Sequence, residues 1–325
     1  MSGTADAIDA VCAAMRGETR AAVAIHESPD ADAVGAAAGM LELFERLGVA
    51  AALHVDAGVV VPYAAELLPL ERVVVGPPPA AATLYALDCG SLDRLALTLG
   101  ERSGRTVDID HHHDNTGFGD LNWVDGQASS TSELVCRLAA RLGLELGPRA
   151  ATALYAGISF DTGHFQHAST SAETFGWAAR LVERGADPNG VYRLLYERRS
   201  LAGLRLWARA IERARPAAGG RALLAALTAD DFAATGASDD DTEGIIDALR
   251  GVPGVEVAAL VRPRDDGRVR VSLRSDGFDV SAVAGIKGGG GHRQAAGFTA
   301  TGSVEEVTQW LSTVLDERLS TASSS

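Results

Sequence analysis

The sequence predicts an α/β protein whose first half is a parallel sheet with crossover helices. Three observations carry this. Short runs of strand-forming residues alternate with longer Ala/Leu-rich stretches of helical period, and several of the short runs deliver an acid or histidine at their carboxyl end. A composition break at Pro216-Ala217-Ala218-Gly219-Gly220 then restarts the pattern. At 325 residues the chain is long for one core and comfortable for two, so two domains are expected.

Val23-Ala24-Ile25 reads as the end of a strand that delivers His26. Residues 33–47 read as a helix, because Val34, Ala37, Ala38, Leu41 and Phe44 recur at helical spacing. Strands are expected at 51–55, 73–75, 84–87 and 106–109, the last two followed by Asp88 and Asp110. Pro77-Pro78-Pro79 predicts a stiff exposed turn between them. Ser130-Thr131-Ser132-Glu133 has the pattern of a helix start, and 150–158 reads as a helix leading into Asp161. A helical stretch over 191–213 carries Arg193, Arg198, Arg199, Arg205 and Arg209, most of them on solvated faces. Beyond the break, strands are expected at 223–227, 255–261 and 269–273. The acids of Ser238-Asp239-Asp240-Asp241-Thr242-Glu243 read as favourable charges at a helix start. The division this gives is 1–190, a connector at 191–215, 216–318, and a polar tail at 319–325.

Composition bounds the function. Hydrophobic residues make up 46% and charged residues 22%, with no run near the roughly 18 apolar residues of a membrane span. Met1-Ser2-Gly3-Thr4-Ala5-Asp6 has no basic region followed by an apolar core, so a cytoplasmic location is expected. A formal charge of −14 repels long duplex nucleic acid but permits a short phosphate gripped by cations and a few arginines. Cys12, Cys89 and Cys136 show no Cys-x-x-Cys spacing, which argues against disulfides and a thiolate zinc site. They read as small buried apolar residues.

The chemistry lies in scattered hard ligands: His26, Asp30 and Asp32 in one short loop, then Asp88, then Asp110-His111-His112, then Asp161. Each alone has a bland reading: Asp30 as a helix cap, His26 as a strand end, Asp110 as a turn former. Together at strand ends they suit manganese or magnesium, with a shared carboxylate able to hold two ions roughly 3.5–4 Å apart. Open parallel sheets bind ligands at that end. Gly35 near the helix start allows close backbone approach. A second candidate site is Gly288-Gly289-Gly290-Gly291-His292-Arg293, whose backbone N–H groups and side-chain donors could meet an anion. Upstream, Arg274 reads equally as a bidentate phosphate grip or as an arginine on a solvated strand face.

At these residues the chain resembles the DHH phosphoesterase superfamily over nearly its whole length. The resemblance implies an N-terminal parallel-sheet DHH domain, a helical connector and a smaller mixed-sheet DHH-associated domain, with the active site in the cleft between them. It places His26, Asp30 and Asp88 on one ion and Asp32, Asp88, His111 and Asp161 on the other, with Asp88 as the bridge. His112 would face the substrate phosphate, and Asp110 would orient the histidine pair. Gly289, Gly290, Gly291, His292, Arg293 and Arg274 would hold the far part of the substrate. His113 would be exposed, and His164 and His167 would be loop residues. The pairing of domains, with Asn122-Trp123-Val124-Asp125 and Ser129 to Glu133, is most similar to the subgroup of nano-RNases and 3′-phosphoadenosine-5′-phosphate (pAp) phosphatases.

The implied activity is metal-dependent hydrolysis of short oligonucleotides and linear dinucleotides to nucleoside monophosphates, and of pAp. Two divalent ions, Mn²⁺ before Mg²⁺, would serve as cofactors. The competing readings are a cyclic-dinucleotide phosphodiesterase, an inorganic pyrophosphatase or exopolyphosphatase, and a non-catalytic nucleotide-binding module. Homodimerisation is left open.

Overall fold

The computed structural model describes residues 2–101, 104–197, 199–264 and 266–322. They form two compact units that divide after position 198, inside the stretch read as a connector. Arg198 and positions 323–325 of the expected tail lie outside the described residues.

The first unit runs α1 (Ser2–Gly17), β1 (Arg20–Ala24), α2 (Ala31–Arg46), β2 (Ala50–Val55), α3 (Ala64–Leu67), β3 (Val73–Val75), β4 (Thr83–Leu87), β5 (Thr106–Asp110), β6 (Leu121–Val124), α4 (Thr131–Leu142), α5 (Pro148–Asp161), α6 (Ala172–Glu183) and α7 (Pro188–Leu195). Its six strands are all parallel, in the order β3-β2-β1-β4-β5-β6. The chain builds outward from β1, then returns to lay β4 on the other side of β1. That reversal leaves a crevice at the carboxyl ends of β1 and β4, the usual place for a ligand in such sheets. Every residue of β4 is buried, as expected for a central parallel strand covered on both faces.

Helix α2 packs on α5 and α4 through small residues. A Cβ at Gly35 would lie 2.9 Å from Ser132 Oγ and collide with the Ala153 carbonyl. Glycine there admits the close approach expected of it, toward a neighbouring helix rather than a ligand.

The second unit runs α8 (Leu201–Glu212), β7 (Arg215–Ala217), β8 (Ala222–Ala226), α9 (Ala229–Thr235), α10 (Ile245–Arg250), β9 (Val257–Pro263), β10 (Val269–Ser275), α11 (Val280–Gly285), β11 (Gly290–His292), β12 (Ala295–Ala300) and α12 (Val304–Ala322). Its mixed sheet has the order β11-β12-β10-β9-β8-β7, with β8 and β9 parallel and the other pairs antiparallel. Alternation along β9 and β10 sends Val257, Ala259, Val271 and Leu273 into a core with α11 and α12. Ala258 and Leu260 pack on the opposite face with Leu206, Ile245 and Leu249.

Three readings change. The connector is two helices: α7 buries Val191 in the first core, and α8, capped by Ser200, buries Leu206 and Ala210 in the second. Residues 319–322 are helical rather than a tail, because Leu319 completes a stripe with Leu311 and Leu315 and is fully buried. The acids near 240 do not open α10. A 3-10 turn and the left-handed Gly244 intervene, and Asp239 pairs instead with Arg262 at 2.7 Å. Among the described residues, no helix is long and apolar enough to cross a membrane.

Candidate metal centre

The acids and histidines converge at the carboxyl ends of β1, β4 and β5. His26 follows β1 and forms a bridge with Leu95. Asp30 is the N-cap of α2, its Oδ1 accepting from the amides of Asp32 (2.9 Å) and Ala33 (3.1 Å). The same oxygen lies 3.9 Å from His26 Nε2, so capping and ligation are compatible at this residue. Asp32, fully buried in the first turn of α2, faces the start of α4. Its Oδ2 accepts from the Thr131 amide at 2.7 Å and its Oδ1 from the Ser132 amide at 2.9 Å. Two free N–H groups at a helix start suit an anion. Gly157 on α5 makes room, since a Cβ there would lie 2.7 Å from Asp32 Oδ1.

Asp88 follows β4 with φ of 56°, a left-handed backbone that aspartate tolerates better than most residues. Its Oδ1 accepts from Thr131 Oγ1 at 3.0 Å and lies 3.5 Å from His111 Nε2 and 3.7 Å from His112 Nδ1. Its Oδ2 lies 3.7 Å from His26 Nε2. The capping pattern at Ser130 therefore holds: Ser130 accepts from the Glu133 amide, while the neighbouring Thr131 serves the carboxylates. Glu133 does not reach back to Ser130, taking instead Ser129, Thr174 and Arg137.

Among the described residues, three groups each bring their ligand atoms within 4.8 Å of one another: His26, Asp30 and Asp88; Asp32, His111 and Asp161; and Asp88, His111 and His112. His112 Nδ1 is already engaged by Asp110 Oδ1 at 2.7 Å. His111 Nε2 is 3.0 Å from Asp161 Oδ2 but out of line for a hydrogen bond, so this buried nitrogen has no hydrogen-bond partner. An imidazole nitrogen set among carboxylates and left unsatisfied is what a divalent cation would complete.

The electrostatics agree. Burial, then the charges of Asp32, Asp30, Asp161 and Asp110, push Asp88 well above the usual carboxylate range. Burial and Asp161 raise Asp32 to about 7. Burial opposes a proton on His111, but the adjacent Asp161 and Asp32 raise it to about 9. The hydrogen bond to Asp110 raises His112. Packed anions drawing protons onto one another and onto imidazoles form a site short of positive charge.

The remaining candidates fall where the bland readings put them. His113 is exposed, and its ring lies against Gly126. His164 packs on Tyr192 and Tyr196, and His167 is exposed beside the Asp161 carbonyl. Cys89 is buried, its thiol pushed up to about 12 by burial.

In the second unit, Arg274 and His292 both pair across to Ala295, on β12 between them. Directly paired residues point to one face, so an arginine and a histidine flank a small residue there. Gly291, with φ of 138°, lies so close to β12 that a Cβ would meet Ala296 Cα at 2.7 Å. Packing on β12 therefore requires glycine there whatever else the loop binds. Arg293 is 3.4 Å from the Gly277 carbonyl.

Sequence reasoning missed Asp108 and Asn115. Asp108 is fully buried within an apolar strand run, and burial raises it to about 7 against a hydrogen bond from Asn115. Asn115 carries no periodic or spacing signal.

Residues 20–158 match the model of the DHH family, N-terminal domain, and residues 219–321 match the DHHA1 domain. A protein of Thermus thermophilus named bifunctional oligoribonuclease and PAP phosphatase NrnA is 33% identical over 284 residues, covering 86% of this chain and 84% of that one. A protein of the same name from Bacillus subtilis is 27% identical over 84% of this chain and 86% of its own. The cyclic-di-AMP phosphodiesterase GdpP of Geobacillus thermodenitrificans is 32% identical over 82% of this chain but only 42% of itself. Among solved structures, an exopolyphosphatase-related protein from Bacteroides fragilis shares the fold, with a TM-score of 0.82 and 23% identity, over 97% of this chain and 98% of that one. With both domains matched in order and a relative of 33% identity covered over most of its length, the chain belongs to the DHH family.

Proposed function

We propose that the protein is a metal-dependent phosphoesterase that hydrolyses short oligonucleotides and linear dinucleotides to nucleoside monophosphates, and pAp to AMP and phosphate. One observation carries the reading: two groups of carboxylates and imidazoles meet at the buried Asp88, in a chain similar along most of its length to oligoribonuclease and PAP phosphatases. His26, Asp30 and Asp88 would hold one divalent ion, and Asp32, Asp88, His111 and Asp161 the other. When bound, such a pair would polarise the scissile phosphate and lower the pKa of a water near it. Mn²⁺ is the expected ion, with Mg²⁺ as the alternative.

The chain's own groups supply the rest. Asp110 holds Nδ1 of His112 as a donor and favours its charged form, which leaves Nε2 to donate to a phosphoryl oxygen as negative charge grows there. The amides of Thr131 and Ser132 fix Asp32, and the Thr131 hydroxyl fixes Asp88. In the second unit, Arg274, His292 and Arg293, with the Gly289-Gly290-Gly291 backbone, would hold the part of the substrate remote from the bond being cut. The aligned pairing of Arg274 and His292 with Ala295 supports that role. A cytoplasmic location goes with such substrates.

A second reading is opening of cyclic dinucleotides, favoured by the 32% identity to the cyclic-di-AMP phosphodiesterase. Purified protein with Mn²⁺ or Mg²⁺ should be incubated with pAp, pApA, cyclic di-AMP, a five-nucleotide RNA and pyrophosphate. Turnover of pApA and pAp is expected, turnover of cyclic di-AMP alone would favour the second reading, and turnover of pyrophosphate alone would overturn both.

A further inference from the structure

Asp110 ends β5 fully buried, and its two oxygens have different partners. Oδ1 accepts from His112 Nδ1 at 2.7 Å and from the His111 amide at 2.8 Å. Oδ2 accepts from Asn115 Nδ2 at 2.7 Å. That amide nitrogen also lies 3.3 Å from Asp108 Oδ1 and 3.3 Å from the Cys89 carbonyl, the residue after Asp88. The other end of the Asn115 amide is fixed as well, since its Oδ1 accepts from the Gly117 amide at 2.6 Å. One side chain, locked at both ends, thus spans the outer oxygen of Asp110, the buried Asp108 and the backbone after Asp88.

Asp108 and Asp110 are two apart on one strand and share a face. Without a donor between them, two buried carboxylates would confront each other, and Asp110 would be free to rotate its inner oxygen away from His112. Asp108 Oδ2 has no hydrogen-bond partner of its own, so Asn115 is the side chain that joins the two acids.

We propose that Asn115 is a positioning residue of this site: by holding Asp110 and separating it from Asp108, it keeps the Nδ1 of His112 engaged and aims the opposite ring nitrogen outward. The proposal rests on His112 being a phosphate contact, as set out above, but the network can be tested without turnover. Loss of a partner that orients an active-site histidine costs roughly 10- to 100-fold in activity.

The test uses the full chain with Asn115→Ala, the near-isosteric Asn115→Asp, Asp110→Asn and the double variant Asp110→Asn/Asn115→Ala. The first readout is the Nδ1 proton of His112 in ¹⁵N–¹H spectra, identified by its loss in His112→Gln. It should be protected in the parent and lost in both Asn115 variants, with the other backbone resonances in place. The second readout is kcat and KM for bis(p-nitrophenyl) phosphate at saturating Mn²⁺. We expect kcat to fall about 10- to 100-fold in Asn115→Ala and further in Asn115→Asp, with KM within about threefold. In the Asp110→Asn background, Asn115→Ala should add less than about a twofold loss, because both substitutions break one chain of contacts. An unchanged His112 signal with parental kcat, or multiplying losses in the double variant, would overturn the proposal. Should Asn115→Ala fail to fold, Asn115→Asp carries the same comparison. A parent protein that hydrolyses no phosphate ester would count against the proposed activity, while the His112 signal would still decide the role of Asn115.

Discussion

Nε2 of His111 lies 3.0 Å from Oδ2 of Asp161, a partly buried ion pair that joins the end of β5 to the end of α5. Nδ1 of His112, by contrast, is bound at 2.7 Å by Asp110. Two adjacent histidines are thus held differently, one by the candidate ligands and the other by Asp110, and their substitutions should separate. His111→Ala should chiefly weaken Mn²⁺ binding, by roughly 10- to 100-fold, and excess Mn²⁺ should restore part of the activity. His112→Ala should keep its metal and lose turnover. Calorimetric titration with Mn²⁺ beside steady-state kinetics checks both, and the reverse pattern would mean the roles are exchanged.

Asp88→Asn should abolish hydrolysis and most Mn²⁺ binding yet leave a folded protein that, without metal, melts above the parent. The amide keeps the shape and tolerates the left-handed backbone while removing one of several mutually repelling charges. A higher melting temperature for the metal-free variant than for the metal-free parent is expected. Circular dichroism melting in chelator gives the comparison; a lower melting temperature than the parent would argue that Asp88 is stabilising without a cation.

The pH dependence of the metal-free protein has a definite sign. Asp32 is raised to about 7 and His111 to about 9, so the folded state binds more protons than the unfolded one between each ordinary and raised value. Stability is fully present below the unfolded pKa and is lost as pH rises, for Asp32 from roughly 4 to 7 and for His111 from roughly 6.5 to 9. Urea midpoints in chelator at pH 5.5, 7 and 8.5 should therefore fall in that order. Apparent Mn²⁺ affinity should rise over the same range, since ions and protons compete for these atoms. A midpoint that climbs with pH would contradict the charge-deficient site.

His292→Ala should raise KM for pApA about 10- to 100-fold, the equivalent of a charge-assisted hydrogen bond of roughly 1.5–3 kcal/mol. Hydrolysis of bis(p-nitrophenyl) phosphate, which has no remote group to hold, should change much less. Comparing kcat/KM for the two substrates in both proteins is decisive: equal losses would place His292 at the scissile phosphate.

Most of the centre was legible because β1, β4 and β5 are apolar runs that stop abruptly at His26, Asp88 and Asp110, and buried parallel strands advertise their ends. Asp108 was hidden by the same logic, since it lies inside the run Val107-Asp108-Ile109 and not at its end. Strand β6 escaped notice because it is a short edge in which only Trp123 is buried. The break between α7 and α8 has no glycine or proline to mark it, and only the cap at Ser200 signals the restart. Leu311, Leu315 and Leu319 do show a four-residue spacing, which the serine-rich end of the chain masks. Asn115 could not have been found: its role depends on two loops meeting, and no pattern within the sequence records that.

The left-handed backbone at Asp88 narrows what this position can become. Asparagine and glycine keep that conformation at little cost, whereas glutamate, nominally the conservative exchange, would bring both a longer arm and backbone strain. The substitutions the fold accepts most readily are therefore the ones that silence the metal groups, and the one that preserves the charge is resisted. A descendant of this chain could lose catalysis in a single step with its sheet, its crevice and its second unit intact, and survive as a protein that recognises nucleotides without cutting them.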